Sequence, residues 1–326
     1  MKQMKPKVSP SHRRQRAQYQ GKPLGQVSDV DVRLLRVFKA VVESGGLAAA
    51  ELELNIGRST ISRHLKDLEI RLGVVLCSRG RSGFALTPEG ETIYRAALNL
   101  MGSLDQFRSQ VAGVHEQMVG RLSVALFDKT VTNPAAHIDR AIQRFHQVAP
   151  EVDLHLHVGT LNGIESGVMD GKYQLGVIPL HRESSSLNYQ PLFSEAMSLY
   201  CGNYHPAFSR AQQITATELT QLAYVGLGYH SPNMSVSHQR NLIRSASGYD
   251  QEAVATLILS GVYIGYLPDH YAESFVAQGL MRMVGDSADP ERSFGYQCQF
   301  AAITKPGAAP NRLAEAFLSA LVECHL

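Results

Sequence analysis

Arg58, Ser59, Ser62, Arg63 and Lys66 fall on one side of a predicted helix, with Thr60 near its edge. The other side is an apolar stripe of Ile61, Leu65, Leu68 and Leu72. That stripe steps by 4, 3 and 4 residues, the spacing of a single helical face. A helix presenting short hydroxyls and cations can enter the major groove of duplex DNA. There an Arg can bridge guanine O6 and N7, and Ser or Thr can meet base edges or phosphates. Further along, Arg79-Gly80-Arg81-Ser82-Gly83 reads as a turn between two β-like runs, Val74–Ser78 and Phe84–Thr87. Arg79 and Arg81 would then sit at a hairpin tip, where they can reach phosphates or a neighbouring minor groove. Solvated helix faces and ordinary turns share each feature singly; together they point to duplex DNA as a partner.

The elements that would hold these residues are legible on either side. Ser28 or Asp29 can cap a first helix, along which Leu34, Leu35, Phe38, Val41 and Val42 recur at helical spacing. Ser44-Gly45-Gly46 stops it, Leu47–Leu54 forms a short Ala-rich helix, and Asn55-Ile56-Gly57 makes a tight turn. Gly73 ends the helix that opens at Arg58. Three helices and a cationic hairpin describe a winged helix-turn-helix over residues 29–87. Ahead of it, residues 1–28 hold seven Lys or Arg and no acid before Asp29, among Gly, Pro, Gln and Ser. They read as a disordered basic arm, either adding phosphate attraction or inert.

Thr87-Pro88-Glu89 looks like a helix start, with a capping Thr, a Pro in the first turn and an acid beside it. The helix predicted from Pro88 to about Val119 carries Ile93, Ala97, Leu100, Leu104, Phe107, Val111, Val114 and Met118 in alternating steps of 4 and 3. A period of 3.5 residues held this long favours pairing with another helix, hence a dimer seam; packing on its own domain is the alternative.

From Gly120 the pattern changes to strands alternating with helices. Strands are predicted at Leu122–Phe127, Val152–Val158, Leu175–Ile178 and Val262–Leu267, and helices at Pro134–Val148, Ile164–Asp170 and Asp250–Leu259. This rhythm implies an α/β domain with parallel strands over residues 120–326. Composition agrees with several domains. The chain has 326 residues, 44% of them hydrophobic, enough to bury a core in each of two or three domains. Residues 1–90 carry 16 Lys and Arg against 8 Asp and Glu, and residues 91–326 carry 15 against 21, so a basic third precedes an acidic body.

Other chemistries find little support. Cys77, Cys201, Cys298 and Cys324 are scattered, which argues against a disulfide framework or a zinc ribbon and fits a reducing cytosol. His155 and His157 share a strand face, but no nearby Cys or carboxylate completes a metal set, and no metal or cofactor is expected. Ser166–Lys172 fails the phosphate-loop spacing, Gly226-Leu227-Gly228 lacks a third glycine, and no Gly-x-Ser-x-Gly elbow exists. An enzyme fused to a DNA-binding domain, with its chemistry in residues 120–326, remains the alternative to a regulator. The apolar run Val254–Pro268 is broken by Thr256, Ser260, Gly261 and Gly265, and the N-terminus has no apolar core of a secretory signal. A cytoplasmic protein with no membrane partner is expected.

The segment Leu34–Gly90 resembles the DNA-binding domain of LysR-type transcriptional regulators. The resemblance rests on Ser59 to Glu69 of the helix-turn-helix, on Leu72-Gly73-Val74 and Leu76, and on Leu86-Thr87-Pro88-Glu89-Gly90. It continues weakly through Ala149-Pro150-Glu151-Val152, Asp170-Gly171-Lys172 to Gly176-Val177, His205-Pro206 and Gly261 to Pro268. Three positions depart from the family pattern: Ala50-Glu51 stands for paired alanines, Cys77 for a Phe, and Gly57-Arg58 for Ser-Gln. Arg58 would favour guanine where Gln favours adenine.

The resemblance implies an α/β sensor of two lobes, like a periplasmic binding protein, that encloses a small-molecule effector. In such folds ligands meet strand ends and helix N-termini. On this chain that selects Asp128, Thr132, Asn133, Asn162, His181, Arg182 and Tyr229, each of which is equally readable as loop polarity. Asp128 suits a cationic effector and Arg182 an anionic one. The resemblance also implies a homodimer or homotetramer on double-stranded DNA, with RNA polymerase as a further partner.

Overall fold

The computed structural model describes residues 25–80, 83–114, 118–286, 288–307 and 311–326. The chain divides into two compact units, Met1–Leu104 and Asp105–Leu326. Most of the expected basic arm lies outside the described residues.

The first unit is built from three helices, a hairpin and the start of a fourth helix. Helix α1 (Asp29–Glu43) opens with a capping box, the Ser28 backbone N–H and hydroxyl both donating to Asp31 at 2.8 and 2.7 Å. Helix α2 (Leu47–Leu54) ends at Asn55, whose φ of 50° turns the chain sharply into α3 (Arg58–Leu72). Gly57 offers no side chain to cap α3; instead Glu51 on α2 accepts a hydrogen bond from the Arg58 N–H at 2.5 Å. Ile61, Leu65 and Leu68 pack with Leu34, Phe38 and Val41 as a fully or nearly fully buried core. Asp31, 1% exposed, is bound by the Arg71 guanidinium near the far end of α3, which holds its carboxyl well below the usual range.

The wing follows as β1 (Cys77–Gly80) and β2 (Gly83–Leu86), paired antiparallel from Cys77 opposite Leu86 to Gly80 opposite Gly83. The first strand starts later than the sequence suggests. Arg79 is a strand residue opposite Phe84 rather than part of the turn, and Arg81 lies outside the described residues. Glu69, buried in α3, accepts from the Leu76 N–H at 2.9 Å and holds the entry to the wing.

Helix α4 (Pro88–Val114) is tied back to the wing by Thr87. Its hydroxyl accepts from the Gly90 N–H at 2.9 Å and donates to the Val75 carbonyl at 2.6 Å. The helix is shorter than its periodicity suggests, because Met118 leaves the helical row to pack on the core of the second unit. Ile93 packs against the core of the first unit and Ala97 is 1% exposed, whereas Leu100 and Leu104 are half-buried. Phe107 and Val111 are 63% and 47% exposed, an apolar row without cover in the single chain.

The second unit contains one mixed nine-stranded sheet. Its first lobe holds β3 (Gly120–Phe127), α5 (Ile138–Val148), β4 (Val152–Gly159), α6 (Leu161–Met169) and β5 (Leu175–Pro179). The chain then runs through β6 (Asn188–Gly202) into a second lobe. That lobe contains a short α7 (Ala216–Leu219), β7 (Tyr224–Leu227), α8 (Pro232–Gln239), β8 (Arg244–Gly248), α9 (Gln251–Leu259), β9 (Ile264–Pro268), α10 (Asp269–Ala277) and β10 (Met281–Met283). It returns through β11 (Tyr296–Thr304), and α11 (Arg312–Glu323) packs on α5 with Phe317 edge-on to Phe145.

Spatial order is β4-β3-β5-β11-β6-β9-β7-β8, with β10 on β6. Parallel pairs occur at β3–β4 and β3–β5, as expected, and also at β7–β8 and β7–β9, although the sequence pattern predicts no strand at β7 or β8. The two connecting strands add antiparallel pairs that the sequence pattern did not show, because β6 and β11 serve both lobes and neither belongs to a βαβ repeat. Helix α5 begins at Ile138 rather than Pro134, since a 3-10 turn at Thr130–Thr132 and a left-handed His137 (φ 45°) precede it. On the edge strand β4, Leu156 and Val158 are 46% and 67% exposed, so its apolar row is covered over only part of its length.

A methyl group at Gly90 would sit 1.9 Å from the Leu76 carbonyl oxygen, so the helix can approach the wing this closely only without a Cβ. Gly90→Ala is expected to lower the stability of the first unit by about 1–3 kcal/mol. Calorimetry of the full-length variant reads this as an earlier first transition; an unchanged scan would contradict the packing described.

Candidate DNA interface and ligand cleft

Helix α3 presents two faces of opposite character. Its buried stripe locks into α1, while Arg58, Ser59, Thr60, Arg63 and Lys66 project toward solvent. Ser62 is exposed to a lesser degree beside them. The nearest acid to Arg63 is Asp67, 4.0 Å away and itself exposed, an ion pair too weak to keep the guanidinium from a phosphate or base. Glu51 is the residue that sequence reasoning passed over. Where the family pattern has a small residue, it supplies the missing cap of α3 and places a carboxylate beside Arg58. The Asx and Ser rules for helix caps do not flag a Glu acting from a preceding helix.

The second site follows from strand ends. A crevice, partly open to solvent, lies between the lobes. Phe127, Leu161 and Pro179 close it from the first lobe, at the end of β3, the start of α6 and the end of β5. Leu227, Tyr229 and Ser231 close it from the second lobe. Glu195 and Met197 of β6 and Tyr296 and Cys298 of β11 form its floor, where both strands pass from one lobe to the other. Three buried polar atoms at this crevice have no hydrogen-bond partner among the described residues: the Tyr229 hydroxyl, the Ser231 hydroxyl and Gln251 Oε1. Ser231 and Gln251 are each 2% exposed. Unpaired buried polar groups are costly, and their gathering at one cavity marks a place for a polar ligand or ordered water.

Hydrogen bonds span the crevice along one side. Asp128, in the first lobe, accepts from the Gln251 N–H at 2.7 Å and so helps cap α9 of the second. Lys129 reaches Glu252 at 3.2 Å and lies over the Tyr271 ring. Thr132 contacts His270 Nδ1 at 2.8 Å, and His270 Nε2 contacts Glu195 at 3.0 Å. Asn133 donates to the same Glu195 oxygen at 3.4 Å. Burial lifts the Asp128 carboxyl to about 6; Asp250 and Glu195 repel its charge further, while the Gln251 N–H and Lys129 draw it back.

At the other side His181 and His230 face each other across the lobes, ring centroids 5.4 Å apart. Both ring nitrogens of His181 are buried, and beside the Pro179 backbone neither finds a well-formed partner among the described residues. Burial first, then the nearby Arg182 and His230, hold it below the ordinary histidine value. Burial pushes the carboxyl of Glu165, 7% exposed on α6, above the usual range, with Arg182 and His230 only partly offsetting it.

Of the residues expected at a ligand site, Tyr229 lines the crevice; Asp128 and Asn133 touch its lining residues Gln251 and Glu195, His181 meets His230, and Thr132 contacts His270. Asn162 is exposed on α6, and Arg182 is exposed and acts on the crevice only through its charge. Glu195, Ser231, Gln251 and His270 were missed. A signal existed for Glu195: it interrupts the inward row Phe193, Met197 and Leu199 at period two, where an acid needs a reason to be buried. Elsewhere, His155 and His157 stack at 6.5 Å and Asp153 approaches His155 at 2.9 Å, but no group of three or more metal-ligating side chains forms among the described residues.

Two family models match the chain. Residues 32–91 match the bacterial regulatory helix-turn-helix of the lysR family, and residues 115–324 the LysR substrate binding domain. The HTH-type transcriptional activator BauR of Pseudomonas aeruginosa is 42% identical over 91% of this chain and 96% of its own length. Among solved structures, a full-length OxyR variant from Pseudomonas aeruginosa has the same fold with a TM-score of 0.59, at 20% identity over 91% of this chain and 95% of that one. CbnR in complex with its target DNA gives 0.60 at 17% identity, over 90% and 99%.

Asp128 sets a measurable pH dependence. The folded chain holds this proton more tightly than the unfolded one, whose value is near 3.8. Stability from this group is therefore full below 3.8 and is lost as pH rises through about 6, by at most about 3 kcal/mol. Asp128→Asn, which keeps an acceptor for the Gln251 N–H, is expected to flatten this slope in Tm between pH 4 and 7. An identical slope in wild type and variant would contradict the burial of the carboxylate.

Proposed function

The chain belongs to the LysR family of bacterial transcriptional regulators, and from that premise we propose how it divides the task between its two units. It is a DNA-binding regulator with an effector-binding domain. The exposed face of α3, with Arg58, Ser59, Thr60, Ser62, Arg63 and Lys66, reads the major groove, and the wing with Arg79 and Arg81 adds phosphate or minor-groove contacts. The effector sits in the crevice on Tyr229, Ser231, Gln251 and Glu195. The observation that carries this reading is the set of three unpaired buried polar atoms at the lobe junction. The chain acts as a regulator rather than an enzyme, in the cytoplasm where its DNA lies; BauR, 42% identical, is named an activator, which makes activation the direction to test.

A homodimer forms through Leu100, Leu104, Phe107 and Val111 of α4, the part of the heptad row left over once Ile93 and Ala97 have packed within the chain. A two-fold axis there would present two recognition helices to a palindromic site, and pairing of dimers would give a tetramer. RNA polymerase is the partner to which such an assembly would signal.

Footprinting on the intergenic DNA beside its own gene, at moderate salt, tests the regulator. Two protected half-sites spaced by whole helical turns are expected; uniform coating that vanishes with salt would contradict specific binding. Arg63→Ala is expected to weaken the specific site by about 1–3 kcal/mol and relax discrimination at one position. Leu104→Asp is expected to sediment as a monomer, since it buries a charge in an apolar seam; a variant that stays dimeric would contradict that seam.

A further inference from the structure

The crevice has a charge pattern that restricts what can fill it, given the effector reading above. Among the described residues that line the cavity, Glu195 is the one that carries a charge. It is 7% exposed, and its Oε2 is taken by His270 and Asn133, neither of which engages Oε1. Behind it stand Asp128, which caps α9 from the first lobe, and Asp250, which caps the same helix from its own chain end through the Ala253 N–H at 2.7 Å. Glu252 lies one residue beyond the helix start and is held by Lys129 at 3.2 Å. Lys129 and the His270 ring are thus set against four carboxylates on this side of the crevice.

The α9 N-terminus, where an anion would otherwise be welcome, is already occupied by two aspartates. The unpaired atom that this helix aims at the cavity is an acceptor, Gln251 Oε1. An acceptor without a donor beside a buried carboxylate wants a group that brings both hydrogens and positive charge. A primary ammonium does so with three donors, one each for Glu195, Gln251 and a hydroxyl of Ser231 or Tyr229. A carboxylate placed at the same wall would meet carboxylate and carbonyl oxygen with no counter-charge in the cavity lining.

We propose that the crevice recognises a small molecule through a primary ammonium group seated on Glu195 and Gln251 Oε1. The ammonium belongs either to a simple amine or to an amino acid. In the second case the acid end lies toward His181 and His230, which follow the cavity-lining Pro179 and Tyr229 in the chain and bring their ring centroids to 5.4 Å.

The test uses three probes that share a four-carbon chain: butylammonium, butyrate and 4-aminobutyrate, titrated calorimetrically into the full-length protein. Binding of butylammonium or 4-aminobutyrate, weakened at least tenfold by Glu195→Gln and severalfold by Gln251→Leu, is the expected result. Preference for butylammonium identifies a simple amine and preference for 4-aminobutyrate an amino acid. Gln251→Leu leaves the Glu195–His270 contact in place, so it answers the question should Glu195→Gln fail to fold. Binding of butyrate as strong as that of the amines, or amine binding unchanged in both variants, would overturn the ammonium assignment while leaving the effector reading intact. No binding of any of the three also overturns the assignment. The effector reading falls with it only if a mixture of neutral and anionic compounds of similar size leaves the thermal unfolding of the protein unchanged.

Discussion

Two strands, β6 and β11, govern the second unit because each has to serve two lobes. From Asn188 to Met197, β6 pairs with β11; from Met197 to Cys201 the same strand pairs with β9. The changeover at Met197 fixes the floor of the crevice, and everything that approaches it is a strand end or a helix start. That geometry explains why buried polar atoms collect there. Strand ends and first turns carry backbone groups that need partners, and the loops that join them bring side chains such as Asp128 and Ser231 to the same level. An apolar plug would have been the cheaper solution for stability. Leaving Tyr229, Ser231 and Gln251 unpaired makes sense only if something polar enters.

The first unit solves a different problem, holding a polar helix face rigidly in solvent. It does so from three directions. The Arg71–Asp31 contact ties the end of α3 to the start of α1, Glu51 caps the start of α3, and Glu69 fastens the loop into the wing. Gly90 then lets α4 lie directly against the Leu76 carbonyl. These are short-range contacts among residues close in sequence, except for the Arg71–Asp31 pair. A rigid frame of this kind spares the exposed side chains of α3 from also serving as structure, since none of Arg58, Ser59 or Thr60 is part of the core.

Legibility in the sequence followed how local each feature is. The helices of the first unit and their stops could be read almost residue by residue, because Ser28, Asn55 and Gly73 act within one turn of where they stand, whereas the cap of α3 comes from Glu51 on another helix and was not. The heptad row of α4 was visible too, but periodicity cannot say which partner each turn meets. Ile93 went to the domain core and Met118 to the second unit, leaving Phe107 and Val111 uncovered. In the second unit four of the parallel strands showed as apolar runs, whereas β7, β8, β6 and β11 stayed hidden: β8 is a polar Arg-Ser-Ala-Ser-Gly segment, and the pairing of β6 and β11 is set by distant segments. With β6 went Glu195, and with the start of α9 went Gln251, so the sequence pointed to loop residues such as Asp128 and Tyr229 but not to the floor of the crevice. The fit of the chain to both LysR models agrees with the motif reading in the first unit and extends it across residues 115–324.

Helix α4 is the covalent path between reader and sensor, and a ligand can act on DNA only through a difference in its affinity for two arrangements of the protein. Such coupling is reciprocal. Operator affinity should change on saturating the crevice by the same factor as ligand affinity changes on saturating the protein with operator. Measuring both titrations on one preparation, at one salt concentration, tests the account most directly. Equal factors, each lost when Ser231 and Tyr229 are replaced by Ala and Phe, are the expected result. A ligand that fills the crevice while operator affinity, DNA bending and its own affinity for the DNA-bound protein all stay constant would contradict it.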